Sequence, residues 1–131
     1  MYNIVIASNL EDMRKFIKGF SYAFAGLAYA FKSQLNFKVH ILSTFLVSLA
    51  GYWFKLSSSE WLWIIASIGV VLITELLNTA IETLVDLISP EIHPKAKIIK
   101  DVAAGAVLIA AITAAGIGLV IFIPKILQYA A

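Results

Sequence analysis

The chain of 131 residues contains no cysteine, which excludes disulfide bonds, thiol redox chemistry and thiolate metal sites. Charged residues are also scarce, at 14% of the sequence, and the formal net charge is only +2. A nucleic-acid-binding surface normally needs a dense basic stripe, so we expect no nucleic-acid partner. The glycine-rich loops of P-loop proteins and of protein kinases are absent from the sequence. Any nucleotide site in this chain must therefore be built in another way.

Hydrophobic residues, by contrast, make up 61% of the sequence, and the mean hydropathy is +0.91. Soluble domains contain roughly 45–50% apolar residues, and a chain this short cannot hide such an excess from water. We therefore predict a membrane protein. Residues 2–7 are too short for the hydrophobic region of a signal peptide, and no basic residue precedes them. Residues 1–12 are expected to form a loose N-terminal extension.

Three segments are apolar enough to be predicted as transmembrane helices, because about 20 apolar residues cross the hydrocarbon core. They are residues 39–56, 61–81 and 102–123, the last ending at Pro124. The first two flank a short serine turn with aromatic residues on both sides, which indicates a hairpin ending at a membrane interface. Residues 13–34 place phenylalanines at three- and four-residue steps on one face, which is typical of an amphipathic surface helix. The predicted fold is all-α, with a surface helix and three spans in one domain, residues 13–131.

Basic residues predict the orientation of these spans. The segment before the first span holds five of them, and the loop after the second span holds Lys95, Lys97 and Lys100. The hairpin turn has only Lys55, and the C-terminal tail has only Lys125. By the positive-inside rule, the N-terminus and the second loop lie in the cytoplasm.

A stripe of polar side chains follows one face of the second predicted span: Glu75, Asn78, Glu82 and Asp86. A carboxylate at the centre of a span costs about 2.5–3.5 kcal/mol by insertion scales, so Glu75 needs a partner or a task. Seven helical residues cover about 10 Å along the axis. Glu75 and Glu82 are therefore too far apart to share a proton, but their spacing suits a base and a separate metal ligand.

Polar residues continue in the loop after this span: Glu91, His93, Lys97, Lys100 and Asp101. Acidic oxygens bind Mg²⁺, which usually completes its coordination with water and substrate phosphates. Lysines neutralise phosphate charge. The sequence therefore predicts a polyphosphate-binding site at the cytoplasmic face of the membrane.

The same residues carry a resemblance to a known family. Residues 75–82 (ELLNTAIE) and 100–108 (KDVAAGAVL) resemble the small bacterial diacylglycerol kinase and undecaprenol kinase family, and residues 89–97 look more like its undecaprenol kinase branch. The resemblance extends from about Lys15 to the end of the third span. It implies a homotrimer in the bacterial inner (cytoplasmic) membrane, with several spans per chain. It also implies phosphorylation of a lipid alcohol, diacylglycerol or undecaprenol, by ATP and Mg²⁺ at the cytoplasmic face.

The resemblance further implies roles for individual residues. Glu75 matches the catalytic base, Glu82 matches a metal-binding glutamate, and Asn78 matches the polar residue beside them. Gln34 stands where the family has a second metal-coordinating glutamate. Glutamine keeps an oxygen donor but loses a negative charge, so we expect weaker Mg²⁺ binding. The other positions that match nucleotide contacts are Lys15, Tyr22, Glu91, His93, Lys100 and Asp101, with Glu82 and Gln34 adjoining them; Asp86 and Lys97 are further polar residues of the site.

Two other functions remain open at this point. The chain could be a small transporter in which Glu75 couples movement of a proton or cation. It could also be a non-catalytic membrane subunit, for which Gln34 is the main argument. Uptake without ATP would favour the first, and failure to phosphorylate any lipid alcohol would favour the second. The sequence does not distinguish diacylglycerol from undecaprenol as the substrate.

Overall fold

The computed structural model describes residues 2–91 and 93–130, without the side chains of residues 2–10 and 130. Met1, which belongs to the predicted extension, lies outside the described residues, as do Ile92 and Ala131. The described residues form four helices: α1 (Tyr2–Ser33), α2 (Leu35–Trp53), α3 (Ser58–Ile88) and α4 (Pro94–Ala130). The chain is all-α, as predicted.

Helix α1 is a unit of its own, separate from residues 34–131. It begins at Tyr2 rather than at Met13, so the loose extension predicted before Met13 is not found from residue 2 onward. The reason is local, because residues 2–12 contain neither proline nor glycine to interrupt a helix. The rings of Phe16 and Phe20 pack edge to face at 5.1 Å, as their four-residue spacing predicts.

The hairpin between α2 and α3 is confirmed, and its turn is tightly built. Lys55 adopts a left-handed backbone with a φ of 52°. Ser57 then caps α3, because its hydroxyl accepts from the Glu60 N–H and the Glu60 carboxylate accepts from the Ser57 N–H. A Cβ at Gly51 would lie 2.8 Å from the ring of Trp61, so only glycine lets the two helices approach this closely.

Helix α4 also packs along α3, so α2 and α4 share α3 as their common partner. The third span was predicted to end at Pro124; as a helix, α4 continues through this proline to Ala130, and the end of the span itself stays a prediction. Proline removes one backbone hydrogen bond, a loss that apolar helices with packed neighbours tolerate. Lys125 Nζ, one residue further on, lies 3.1 Å from Glu60 Oε1 and ties this end of α4 to α3.

Two of the described helices, α3 and α4, are long and apolar enough to cross a membrane. Only 11% of the apolar window in α4 is buried, so α4 is not the enclosed core helix of a soluble fold. These helices instead expose large apolar side chains such as Trp63, Leu77 and Ile109. The chain is therefore a membrane protein. Helix α2 matches the predicted first span but is not apolar enough to meet the same criterion of length and mean hydropathy. The reason is that Asn36, Lys38 and His40 lie in its first turns.

Candidate active site

The polar stripe of α3 is buried where the helix packs. Glu75 is 1% exposed and is the largest fully buried side chain of the described residues, and Asn78 is 5% exposed. Thr79 is buried beside them and satisfies its hydroxyl by donating to the Glu75 carbonyl oxygen at 2.9 Å. The three- and four-residue spacing that predicted one face has therefore brought these side chains together on the inner side of α3.

Glu82 is the centre of an amide–carboxylate cluster. Asn78 Nδ2 donates to Glu82 Oε1 at 3.0 Å, and Gln34 Nε2 donates to Glu82 Oε2 at 3.4 Å. Gln34 and Glu82 are 48 residues apart in sequence, so the hairpin alone brings them together. Gln34 lies at the N-cap of α2 in extended backbone and makes no capping hydrogen bond with its side chain, which leaves that side chain to reach α3.

Two buried oxygen atoms of this cluster have no hydrogen-bond partner within the described part of the chain: Glu75 Oε2 and Asn78 Oδ1. Leaving a buried polar atom unpaired costs about 1–3 kcal/mol. A ligand that brings a proton donor or a cation would relieve this cost. Both oxygens can accept a hydrogen bond or bind a cation.

The oxygen donors of the cluster fit Mg²⁺. This ion is usually held by one or two carboxylates, with water and substrate phosphates completing an octahedron. Glu82 supplies a half-buried carboxylate, and Asn78 supplies an amide oxygen that has no other partner. Residues 2–91 and 93–130 contain no group of three or more His, Cys, Asp or Glu side chains suited to a metal ion. The roles predicted for Glu82 and Gln34 as metal ligands stay predictions.

The basic residues after α3 are helical, whereas a loop was predicted there. Helix α4 begins at Pro94, since proline at a first helical position sacrifices no internal hydrogen bond. Lys100 therefore projects from α4 and forms an ion pair with Asp86 on α3. Lys97 pairs with Asp101 along one face of α4. These contacts place two lysines and two aspartates at the end of α3 that carries Glu82.

The remaining predicted contacts are exposed. Glu91 accepts from Ser89 through its carbonyl oxygen, and the His93 ring accepts from the Lys95 N–H, so both help to shape the short α3–α4 connection. Two further residues, Lys15 and Tyr22, belong to α1, where Lys15 lies 3.7 Å from Asp12 and Tyr22 is exposed. Their predicted roles in nucleotide binding stay predictions.

His40 belongs to this site, although sequence analysis did not single it out. It is half-buried on α2, and the register of α2 against α3 puts it at about the level of Glu75 along the helix pair. The antiparallel hairpin explains this, because Gln34 lies opposite Glu82 and a similar number of residues leads onward to His40 and back to Glu75. The sequence does contain a signal for His40, which is a polar residue within a predicted apolar span. Counting residues back from the serine turn would have placed it opposite Glu75.

An apolar cleft of about 610 Å³ lies between α2, α3 and α4. We call it the α2–α4 cleft. His40 is the only ionisable residue among those that line it. Helix α4 contributes small residues, Ala111, Ala114, Ala115 and Gly118, which leave room between the helices. The volume lies within the range of ligand pockets, about 300–1,000 Å³.

Apolar helices with a buried acid beside an amide–carboxylate cluster define a small membrane protein with a buried polar centre. Residues 21–122 match the prokaryotic diacylglycerol kinase family. The chain is 42% identical to the undecaprenol kinase of Bacillus subtilis over 116 residues, which cover 88% of this chain and 94% of that protein. It is 42% identical to a diacylglycerol kinase of Synechocystis over 83% of this chain and 63% of that protein. The diacylglycerol kinase of Escherichia coli is 32% identical over 83% of this chain and 89% of that protein.

The chain therefore belongs to the prokaryotic diacylglycerol kinase family, as the resemblance predicted. Its relatives are named as kinases, so it is an enzyme of the lipid kinase class.

Proposed function

We propose that this chain transfers the γ-phosphoryl group of ATP to the hydroxyl of a membrane lipid alcohol at the cytoplasmic face. The alcohol is undecaprenol or diacylglycerol, the substrates that the names of its relatives imply. The observation that carries the proposal is the buried Glu75 carboxylate, whose Oε2 has no partner among the described residues. A lipid hydroxyl would supply the missing proton donor at that oxygen.

In the proposed mechanism, Glu75 accepts the proton of the alcohol as its oxygen attacks the γ-phosphorus of ATP in line with the leaving ADP. Lys100, which Asp86 holds at the same end of α3, neutralises phosphate charge. Glu82 and Asn78 offer oxygens to Mg²⁺, and Gln34 holds Glu82 in place. The bound metal would neutralise charge on the β- and γ-phosphates. Phosphoryl transfer asks mainly for positioning and electrostatics, which a small bundle can provide.

We further propose that α2, α3 and α4 each span the bacterial inner membrane, with the N-terminus in the cytoplasm, and that three chains assemble as a homotrimer. Helix α2 has 19 residues, or about 28 Å at the rise of an α-helix, which approaches the thickness of the hydrocarbon core. Its antiparallel pairing with α3 supports the same depth in the membrane. The large apolar side chains exposed on all three helices support burial in lipid or against other chains.

Replacing Glu75 with glutamine tests the proposed base. Glutamine keeps the shape of the side chain but cannot take the proton, so the rate of lipid phosphorylation should fall at least about a hundredfold. The assay is transfer of labelled phosphate from ATP to undecaprenol and diacylglycerol in parallel vesicles, with Mg²⁺ titrated.

The matched control is Glu60→Gln, the same change at the other end of α3, where Glu60 pairs with Lys125 outside the site. It should keep most of the activity. Near-normal turnover by Glu75→Gln would remove Glu75 from the role of base. No ATP-dependent phosphorylation of either alcohol by the unaltered chain would overturn the proposed function itself.

A further inference from the structure

Each proposed turnover leaves a proton on Glu75 that must depart before the next turnover. Transfer of a phosphoryl group from ATP to an alcohol releases one proton, and a general base takes it up. Glu75 is only 1% exposed, so its carboxyl group does not give this proton directly to bulk water. A group beside Glu75 that can bind a proton would carry it onward.

His40 lies at about the level of Glu75 on the neighbouring helix. The hydrogen bond from Gln34 Nε2 to Glu82 Oε2 sets the level of α2 against α3. Six residues lead from Gln34 to His40, about 9 Å along α2. Seven residues lead back from Glu82 to Glu75, about 10 Å along α3. Since the hairpin makes the two helices antiparallel, both paths run in the same direction from one contact.

The two residues also lie on the faces of their helices that meet. His40 lines the α2–α4 cleft from α2 and is half-buried. Val71 lines the same cleft from α3, and Glu75 follows it one turn later on the buried face of that helix. His40 and Glu75 are therefore at one level and on adjoining faces of the hairpin.

Other polar groups at this level are poorly suited to receive the proton. The Thr79 hydroxyl donates to the Glu75 carbonyl oxygen, and both carboxylate oxygens of Glu82 accept from side-chain amides. Lys38 is exposed, and a lysine cation has no lone pair to offer. Among the residues that line the cleft, His40 is the only ionisable one. A neutral imidazole has one ring nitrogen with a free lone pair, so it can bind a proton.

We propose that His40 is the proton acceptor that returns Glu75 to its carboxylate form after each phosphoryl transfer; this inference rests on the proposed function. The alcohol oxygen bonds to the γ-phosphorus, the bond from that phosphorus to the oxygen of ADP breaks, and the hydroxyl proton moves to Glu75. The O–H bond of the Glu75 carboxyl group then breaks, and an N–H bond forms at the free ring nitrogen of His40. The proton crosses by direct contact or through one bridging water. The imidazolium next gives it to water and becomes neutral again.

The net charge of the pair stays the same while the proton moves between its members. Before the step both side chains are neutral, and after it they are a carboxylate and an imidazolium. Attraction between these opposite charges offsets part of the cost of charging an imidazole in an apolar environment. His40 is more exposed than Glu75, so it is the member of the pair from which a proton can reach water.

Turnover kinetics separate proton removal from a structural role. His40→Gln keeps a polar side chain but cannot take up a proton. In a rapid-quench assay its first phosphoryl transfer should keep the normal rate, because Glu75 still starts as a carboxylate. Each later turnover should be at least about tenfold slower than in the unaltered chain. The control Ser43→Ala, at another cleft-lining position of α2, should alter neither phase. A first turnover as slow as the later ones, or later turnovers at the normal rate, would overturn the inference.

A small base added to the buffer tests the same chemistry. His40→Ala should show the same slow later turnovers, and imidazole should accelerate them at least about fivefold. Pyrazole has a ring of the same size but is a much weaker base, so it should accelerate them little. Equal effects of the two compounds would show that proton transfer is not the function of this side chain.

A proximity measurement separates this inference from the proposed function. The chain contains no cysteine, so the double variant His40→Cys, Glu75→Cys carries only the two introduced thiols. In vesicles without ATP, a short bifunctional thiol reagent should bridge them within one chain. The control double variant His40→Cys, Leu77→Cys places the second thiol at an exposed position of α3 and should not be bridged.

The two proposals fail in different ways in these experiments. No bridge between positions 40 and 75, or equal bridging in the control, would overturn the role of His40 while leaving lipid phosphorylation intact. A bridge between positions 40 and 75, together with no phosphorylation of any alcohol by the unaltered chain, would refute the proposed function.

Discussion

Replacing Gln34 with glutamate would put a second carboxylate beside that of Glu82. At this position the Gln34 amide now donates a hydrogen bond to the Glu82 carboxylate. Gln34 Nε2 lies 3.4 Å from Glu82 Oε2. Two unit charges at that distance repel by about 1 kcal/mol in water and about 5 kcal/mol at an effective dielectric constant of 20. The variant also loses a hydrogen bond to a charged group, worth about 1.5–3 kcal/mol. Without a cation, Gln34→Glu should therefore be less stable than the unaltered chain.

A divalent cation held by the two carboxylates would reverse this balance, because its positive charge would offset their repulsion. The Mg²⁺ concentration for half-maximal lipid phosphorylation should fall at least about tenfold, which corresponds to 1.4 kcal/mol of extra binding free energy. Mg²⁺ should also raise the thermal unfolding temperature more in the variant than in the unaltered chain. Both effects are measured by titrating Mg²⁺ in the kinase assay and in thermal unfolding.

Two controls isolate the position. Gln34→Ala removes the hydrogen bond without adding a charge, so it should weaken stability and leave the Mg²⁺ requirement unchanged or higher. Gln128→Glu makes the same chemical change at an exposed position near the end of α4 and should alter neither measurement. If Gln34→Glu has the same Mg²⁺ dependence as the unaltered chain, Gln34 does not adjoin the metal and the proposed metal site is misplaced.

Two further substitutions test the packing and the phosphate end of the site. Gly51→Ala should lower the free energy of unfolding by about 1 kcal/mol, because the new Cβ would press on the Trp61 ring and outweigh the gain in helix propensity. Thermal unfolding should show no such loss for Gly69→Ala, where a Cβ meets no atom within 4 Å. Asp86→Asn should raise the KM for ATP about fivefold, since Lys100 loses the partner that positions it. An unchanged KM would show that Lys100 does not depend on this pair to reach the phosphate.

Local patterns predicted much of this protein correctly. Composition identified a membrane protein, since apolar content is a sum over residues and needs no three-dimensional information. The serine turn between aromatic segments predicted the α2–α3 hairpin. The spacing of Glu75, Asn78 and Glu82 predicted one helix face, and that face is where the buried cluster lies. Periodicity depends only on helix geometry, which neighbouring chain segments hardly change.

The ends of the helices were predicted less well, for physical reasons that differ from case to case. The third span was predicted to end at Pro124, whereas the helix that contains it continues through this proline. The same residue type at Pro94 begins α4, so Lys97 and Asp101 are helical rather than in a loop. At both positions proline lacks a backbone N–H donor. The loss of stability depends on whether that N–H would have had an acceptor within the helix. The cost of each proline therefore depends on its position in the helix and on the packing around it, and the local sequence predicts neither.

Composition and helical period were enough to predict that the chain is helical and apolar, and which face of α3 carries the polar residues. The residues that this face contacts follow from how the helices pack. The contact of Gln34 with Glu82, which puts His40 at about the level of Glu75, depends on the register of α2 against α3. That register is set by the length of the turn and by the close approach at Gly51. The helical period fixes the direction in which a side chain projects from its helix. The residue that it contacts on a neighbouring helix depends on how the two helix axes are aligned.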